Sequence, residues 1–96
     1  HETMEPEEFR RLEGGEVQIR GDVLVREMND FLGLGVPEDE ADTVGGFVFG
    51  RVGRVGRIGD EVELEGGTLR ITRMKGRRIA QLLFLPTGSA PPPTRQ

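Results

Sequence analysis

Residues 42–50 read DTVGGFVFG, and a second block further on reads GDEVELEG at 59–66. The first block has the pattern of a short amphipathic helix yet contains three glycines, each costing roughly 1 kcal/mol in a helix interior relative to alanine. Gly46, Gly50 and Gly53 fall at i, i+4 and i+7, so on a helix they form one bare face. That face predicts close approach of another backbone or of a ligand. Gly45, Gly46 and Gly50 are accordingly the expected close-packing residues, with Asp60 a structural residue at the start of the hairpin that follows. Membrane helices share this glycine spacing, but the segment is too short and is flanked by arginines.

Thr43 can cap this helix, and Val44, Phe47, Val48 and Val52 supply its apolar stripe. Upstream, Val17 and Ile19 alternate with Gln18 and Arg20, the period of a half-buried strand over about 16–20. Asp22 reads as the cap of an earlier helix whose face is Leu24, Met28, Phe31 and Leu32, stopped by Gly33, Gly35 and Pro37. Beyond residue 59 the period becomes two. Val62 and Leu64, a turn at Gly66-Gly67, and Leu69 and Ile71 make a hairpin; a second turn near Lys75-Gly76 leads to a strand at 79–85. Its nearly continuous apolar run predicts burial on both faces. The sheet at this end is antiparallel and meandering. Residues 1–15 read as a charged lead-in, linker or short helix outside the core, residues 16–86 as the domain, and 87–96, with three consecutive prolines, as a disordered tail.

Ninety-six residues without cysteine bound one small core with no disulfide, thiolate nucleophile or cysteine-ligated metal. The only histidine is His1, so histidine general-base chemistry is not expected, and the chain reads as a non-enzyme. The longest apolar run, LLFL at 82–85, is far short of the roughly 20 residues that span a bilayer. A start on histidine reads as a piece of something longer. The net charge of −4 conceals a division: residues 1–42 carry 4 basic and 13 acidic side chains, residues 43–96 carry 9 basic and 4 acidic. Arg70, Arg73, Lys75, Arg77 and Arg78 cluster near the second turn, but with neither tyrosine nor tryptophan to stack bases no nucleic-acid partner is expected. That cluster reads as a charged hairpin tip or a partner-facing surface.

Two constellations invite ligand chemistry. In RVGRVGRIG at 51–59, glycines let backbone amides converge while Arg51, Arg54 and Arg57 add charge, which would suit FAD or an adenine nucleotide; the stretch lacks the spacing of either standard phosphate loop. Glu38, Asp39, Glu40 and Asp42 offer oxygen ligands to calcium or magnesium, without the ligand positions or turn glycine of an EF-hand. The plainer reading of both is a solvated loop.

The order of signals resembles one known family. VQIRGDVLVREMNDFLGL, then PEDEADTVGGFVFGRVGRV, then IGDEVELEGGTLRITRMKGRRIAQLLF is similar to the CorC/HlyC transporter-associated domain over about 16–85. The most specific elements are Asn29, PEDE followed by DTVGG, GDEVE, and GRRI; GRVGRI at 53–58 is richer in arginine and glycine than the family pattern. The resemblance implies an α+β fold: a small two-layer domain with a mostly antiparallel sheet and two main helices, related to a subdomain of FAD-binding flavoenzymes. It also implies a cytoplasmic regulatory or interaction domain at the inner membrane, in hemolysin-like proteins carrying a membrane domain and a CBS pair and implicated in magnesium and cobalt efflux. The partners so implied are the CBS pair and membrane domain of the parent, or a second copy in a homodimer. A ligand-sensing domain for FAD or an adenine nucleotide, and a divalent-cation sensor, stand as alternatives.

Overall fold

The computed structural model of the chain describes residues 8–53 and 56–87. In chain order the elements are β1 (Phe9–Arg11), β2 (Val17–Arg20), α1 (Val25–Leu32), α2 (Val44–Val52), β3 (Glu61–Leu64), β4 (Gly67–Lys75) and β5 (Arg78–Pro86). The strands form one five-stranded sheet in the order β1-β2-β5-β4-β3, with every neighbouring pair antiparallel. The last strand is therefore the central one, inserted between the N-terminal and C-terminal hairpins.

Alternation along the strands puts Val17, Ile19, Leu69, Ile71, Leu82 and Phe84 on one face, where Val25 and Met28 of α1 and Val44, Phe47 and Val48 of α2 join them in a single buried cluster. Ile19, Leu82 and Ile71 stand side by side across three strands, and none is exposed. Truncating such a residue to alanine costs about 2–5 kcal/mol. The other face carries a row in register from Gln18 through Leu83 and Arg70 to Glu61, with Arg70 Nε donating to Glu61 at 2.8 Å. The fold is α+β, with two helices layered on one face of an antiparallel sheet.

Several local expectations are corrected. The lead-in over 1–15 contains β1, an edge strand paired with β2 through Phe9↔Ile19; Phe9 packs on the core margin and stacks on Phe31, their ring centroids 4.2 Å apart. Asp22 does not cap α1. Its carboxylate accepts from Arg20 Nε at 2.8 Å, and α1 begins after Leu24 without a side-chain cap, held by the Val25 N–H donating to the Asp42 carbonyl. The buried face of α1 is Val25, Met28 and Asn29, while Phe31 is 39% exposed. The two-residue turn of the β3–β4 hairpin is Glu65-Gly66, because Leu64 pairs with Gly67, and neither Gly66 nor Gly67 has a positive φ. β5 buries one face only; Leu83 and Leu85 on the other are half-exposed. Except for Thr87, the expected tail at 87–96 lies outside the described residues.

Candidate functional site

The glycine block begins where α2 meets the sheet. Thr43 caps the helix, its Oγ1 accepting from the Gly46 N–H at 3.0 Å. The Val44 N–H donates to the Val23 carbonyl and the Gly45 N–H to the Gly21 carbonyl, each at 2.8 Å, while the Gly21 N–H donates to the Ala80 carbonyl at 2.9 Å. Three segments distant in sequence are thereby joined by backbone alone. Side chains have no room here: a Cβ on Gly45 would stand 2.9 Å from the Gly21 oxygen and 3.0 Å from the Ile79 oxygen, and one on Gly21 would fall on the Ile79 oxygen.

The bare face expected from Gly46, Gly50 and Gly53 is not a packing face. Gly46 and Gly50 are exposed, a Cβ on Gly50 would meet nothing within 4 Å, and Gly53 lies past the helix end at φ +88°. Of the three expected close-packing residues only Gly45 is packed against the backbone of the sheet side; a methyl on Gly46 would meet the Thr43 Oγ1 at 3.1 Å, within its own cap, and no local pattern in the sequence marks Gly21, the partner of Gly45. Asp60 stands at the start of β3, with its carboxylate accepting from the Arg57 N–H at 2.9 Å and its carbonyl from the Ile71 N–H at 2.9 Å.

Beside this junction opens a cleft of about 890 Å³, walled by the β2–α1 turn, the first turns of α2 and the far end of the β4–β5 hairpin. Its charged lining is Arg20, Asp22, Arg73, Lys75, Arg77 and Arg78, and its apolar lining includes Phe49, Met74 and Ile79. The Arg20 guanidinium bonded to Asp22 holds that carboxyl below the ordinary aspartate value, against the opposing effect of partial burial. Arg70, the remaining member of the basic cluster, is engaged with Glu61 on the open face of the sheet.

The expected ligand arginines do not assemble. Arg51 lies over the Phe47 ring at 4.6 Å and is paired with Glu40 at 3.0 Å, at the rim of a hollow of about 460 Å³. Arg57 lines neither opening, and Arg54 lies outside the described residues. The acidic loop is divided as well. Glu40 is held by Arg51, Glu38 Oε2 accepts from Asn29 Nδ2 at 3.2 Å, and no three carboxylates among the described residues gather as a cation site requires. Asn29, the one buried polar side chain described, uses both ends of its amide on Val36: Nδ2 donates to the carbonyl at 2.9 Å and Oδ1 accepts from the N–H at 3.0 Å. It anchors the start of the acidic loop to α1.

The sequence model of the CorC_HlyC family, described as the transporter associated domain, matches residues 10–87. The magnesium and cobalt efflux protein CorC of Salmonella typhimurium is 28% identical over 75 residues, which is 78% of this chain and 26% of that protein. The chain thus spans about a quarter of the length of this curated relative. The transporter associated domain of a Xylella fastidiosa hemolysin superposes with a TM-score of 0.77 at 24% identity, covering 85% of this chain and 98% of the other; a structure of that domain in complex with Mg++ and Mn++ also superposes at 0.77, with 23% identity. The transporter associated domain of a CBS domain protein from Porphyromonas gingivalis gives 0.73 at 24% identity, covering 82% and 97%.

Proposed function

The chain belongs to the CorC/HlyC transporter associated domain family, and we propose that it is a non-catalytic regulatory module of a larger, CBS-pair-containing membrane protein that exports magnesium or cobalt. The observation that carries this reading is the match of one complete sheet-and-helix unit to about a quarter of a magnesium and cobalt efflux protein. No helix among the described residues is long and apolar enough to cross a membrane; the reading assigns the ion path to other parts of the parent and, from the family resemblance, this unit to its cytoplasmic face. The only buried polar side chain described, Asn29, is occupied in holding Val36, which supports a structural rather than a catalytic interior.

Such a module acts by differential binding: if it packs better on the CBS pair, or on its own copy, in one transporter state, that state gains population. A preference of about 1.4 kcal/mol is tenfold. The test is deletion of this domain from the full-length parent, with magnesium and cobalt efflux measured from loaded cells at matched protein levels. The expected result is retained transport with at least a threefold change in its dependence on ion concentration. Identical efflux curves for the deleted and intact proteins would overturn the proposal.

A further inference from the structure

We propose that the cleft between the β4–β5 hairpin and α2 binds a small polyphosphorylated ligand bearing a planar or apolar group, for which a nucleoside triphosphate is the simplest probe. This inference rests on the cleft alone and is independent of the parent protein's role.

The first observation is charge. The chain has more acidic than basic side chains overall, yet this cleft gathers five cations and one carboxylate. That carboxylate, Asp22, is bonded to Arg20. Arg73, Lys75, Arg77 and Arg78 form no salt bridge with any described residue. Arg78 also acts on the Asp22 carboxylate, but that single negative charge leaves the mouth with a large positive excess, which focuses the field on an anion, and guanidinium groups match phosphate oxygens with paired donors.

The second observation is the strand itself. In a regular strand successive side chains point to opposite faces, but the β4–β5 ladder shifts register twice, with Thr72 the extra residue on β4 and Ala80 the extra residue on β5. At this irregular end of the ladder the consecutive residues Arg73, Met74 and Lys75 all line the cleft. Bulges re-aim side chains in this way and are over-represented beside functional sites.

The third observation is shape. A volume of about 890 Å³ lies within the range of small-molecule sites, and Phe49, Met74 and Ile79 give such a ligand apolar surface on which to lay a ring. The α2 N-terminus is not an amide trap, because the N–H groups of Val44, Gly45 and Gly46 are already bonded. Capture therefore depends on the hairpin cations, which are exposed and can be changed without touching the core.

The experiment is calorimetric titration of the chain at low salt with ATP, inorganic pyrophosphate and adenosine in turn. ATP is expected to bind most tightly, pyrophosphate more weakly and adenosine not measurably. The double variant Arg77→Gln/Arg78→Gln should bind ATP at least tenfold more weakly with an unchanged melting temperature, whereas Arg57→Gln should bind as the parent chain does. No heat from ATP at about 1 mM would overturn the proposal, as would ATP binding indifferent to the double variant. Equal affinity for pyrophosphate and ATP would overturn the role given to Phe49 and its neighbours. Binding confined to phosphatidylserine vesicles or to polyglutamate would replace the small ligand with a membrane or an acidic partner.

Discussion

Two glycine-to-alanine changes five residues apart in α2 should move stability in opposite directions. Gly45 faces two carbonyl oxygens at 2.9 and 3.0 Å from the added methyl, inside the roughly 3.3 Å at which carbon–oxygen contacts become comfortable. Both obstacles are backbone, and one of them, the Gly21 oxygen, also accepts the Gly45 N–H at 2.8 Å. Relief requires α2 to move off the sheet. Overpacking of this kind costs about 1–3 kcal/mol, a weakened hydrogen bond adds about 0.5–1.5 kcal/mol, and the helix preference for alanine returns about 1 kcal/mol. The net loss is about 0.5–3.5 kcal/mol. Gly50 meets nothing within 4 Å, so Gly50→Ala keeps the propensity gain of about 0.5–1 kcal/mol. For a domain of this size 1 kcal/mol corresponds to about 4–8 °C. Thermal unfolding followed by circular dichroism should place Gly45→Ala at least about 2 °C below the parent chain and Gly50→Ala about 2–8 °C above it. Shifts of the same sign in the two variants would refute the packing argument.

Asn29→Ala should cost about 2–4 kcal/mol, because the buried N–H and carbonyl of Val36 both lose their partner; a urea midpoint unchanged from the parent would contradict that role. Asp22 has a pKa lowered in the folded state, first by its hydrogen bond from Arg20. Below the unfolded aspartate value of 3.8, the unfolded chain therefore binds more protons, and the contribution from Asp22 is present above that pH and lost as pH falls through the folded value. The group is largely exposed, so the effect stays under about 1 kcal/mol. It should shrink in Arg20→Gln, where a backbone hydrogen bond and the Arg78 charge still lower the Asp22 pKa; equal acid sensitivity of that variant and the parent below about pH 4 would exclude the pair as its main source.

Where one interaction dominated locally, the sequence was readable. Period-two alternation identified the residues of β2, β3 and β4, and the Thr43 hydroxyl marked the start of α2 as its bond to Gly46 requires. Where competing partners decided the outcome, it was not. Asp22 has the chemistry of a cap, but Arg20, two residues earlier, takes its carboxylate. β1 is three residues with two exposed arginines, so its sequence has no alternation to detect; pairing with β2 across the turn at Gly14-Gly15 defines it. The apolar run of β5 suggested burial on both faces, whereas Leu83 lies in register between Gln18 and Arg70 on the uncovered face. The basic residues of the cleft were visible as a cluster. Their convergence with Phe49 and Asp22 depends on the irregular far end of the β4–β5 ladder and the Gly21–Gly45 contact, which no local pattern carries.

The error over the glycines has a more specific cause. Spacing at i and i+4 shows that two residues share a helix face, but it does not say which face meets the sheet. The apolar stripe says that. At about 100° per residue, Val44, Phe47, Val48 and Val52 centre on a direction from which Gly45 is displaced by about 80°, Gly50 by about 140° and Gly46 by nearly 180°. Gly45 thus belongs to the core flank and the other two to the outer side, in agreement with the burial of Gly45 and the exposure of Gly46 and Gly50. The same wheel sets Phe49 just beyond Gly45 on that flank, and there it lines the basic cleft. The close contact that brings α2 onto the sheet also fixes the helix rotation that turns Phe49 toward the hairpin cations. A disturbance at Gly45 should accordingly be felt in the cleft, whereas an alanine at Gly50 should leave it unchanged.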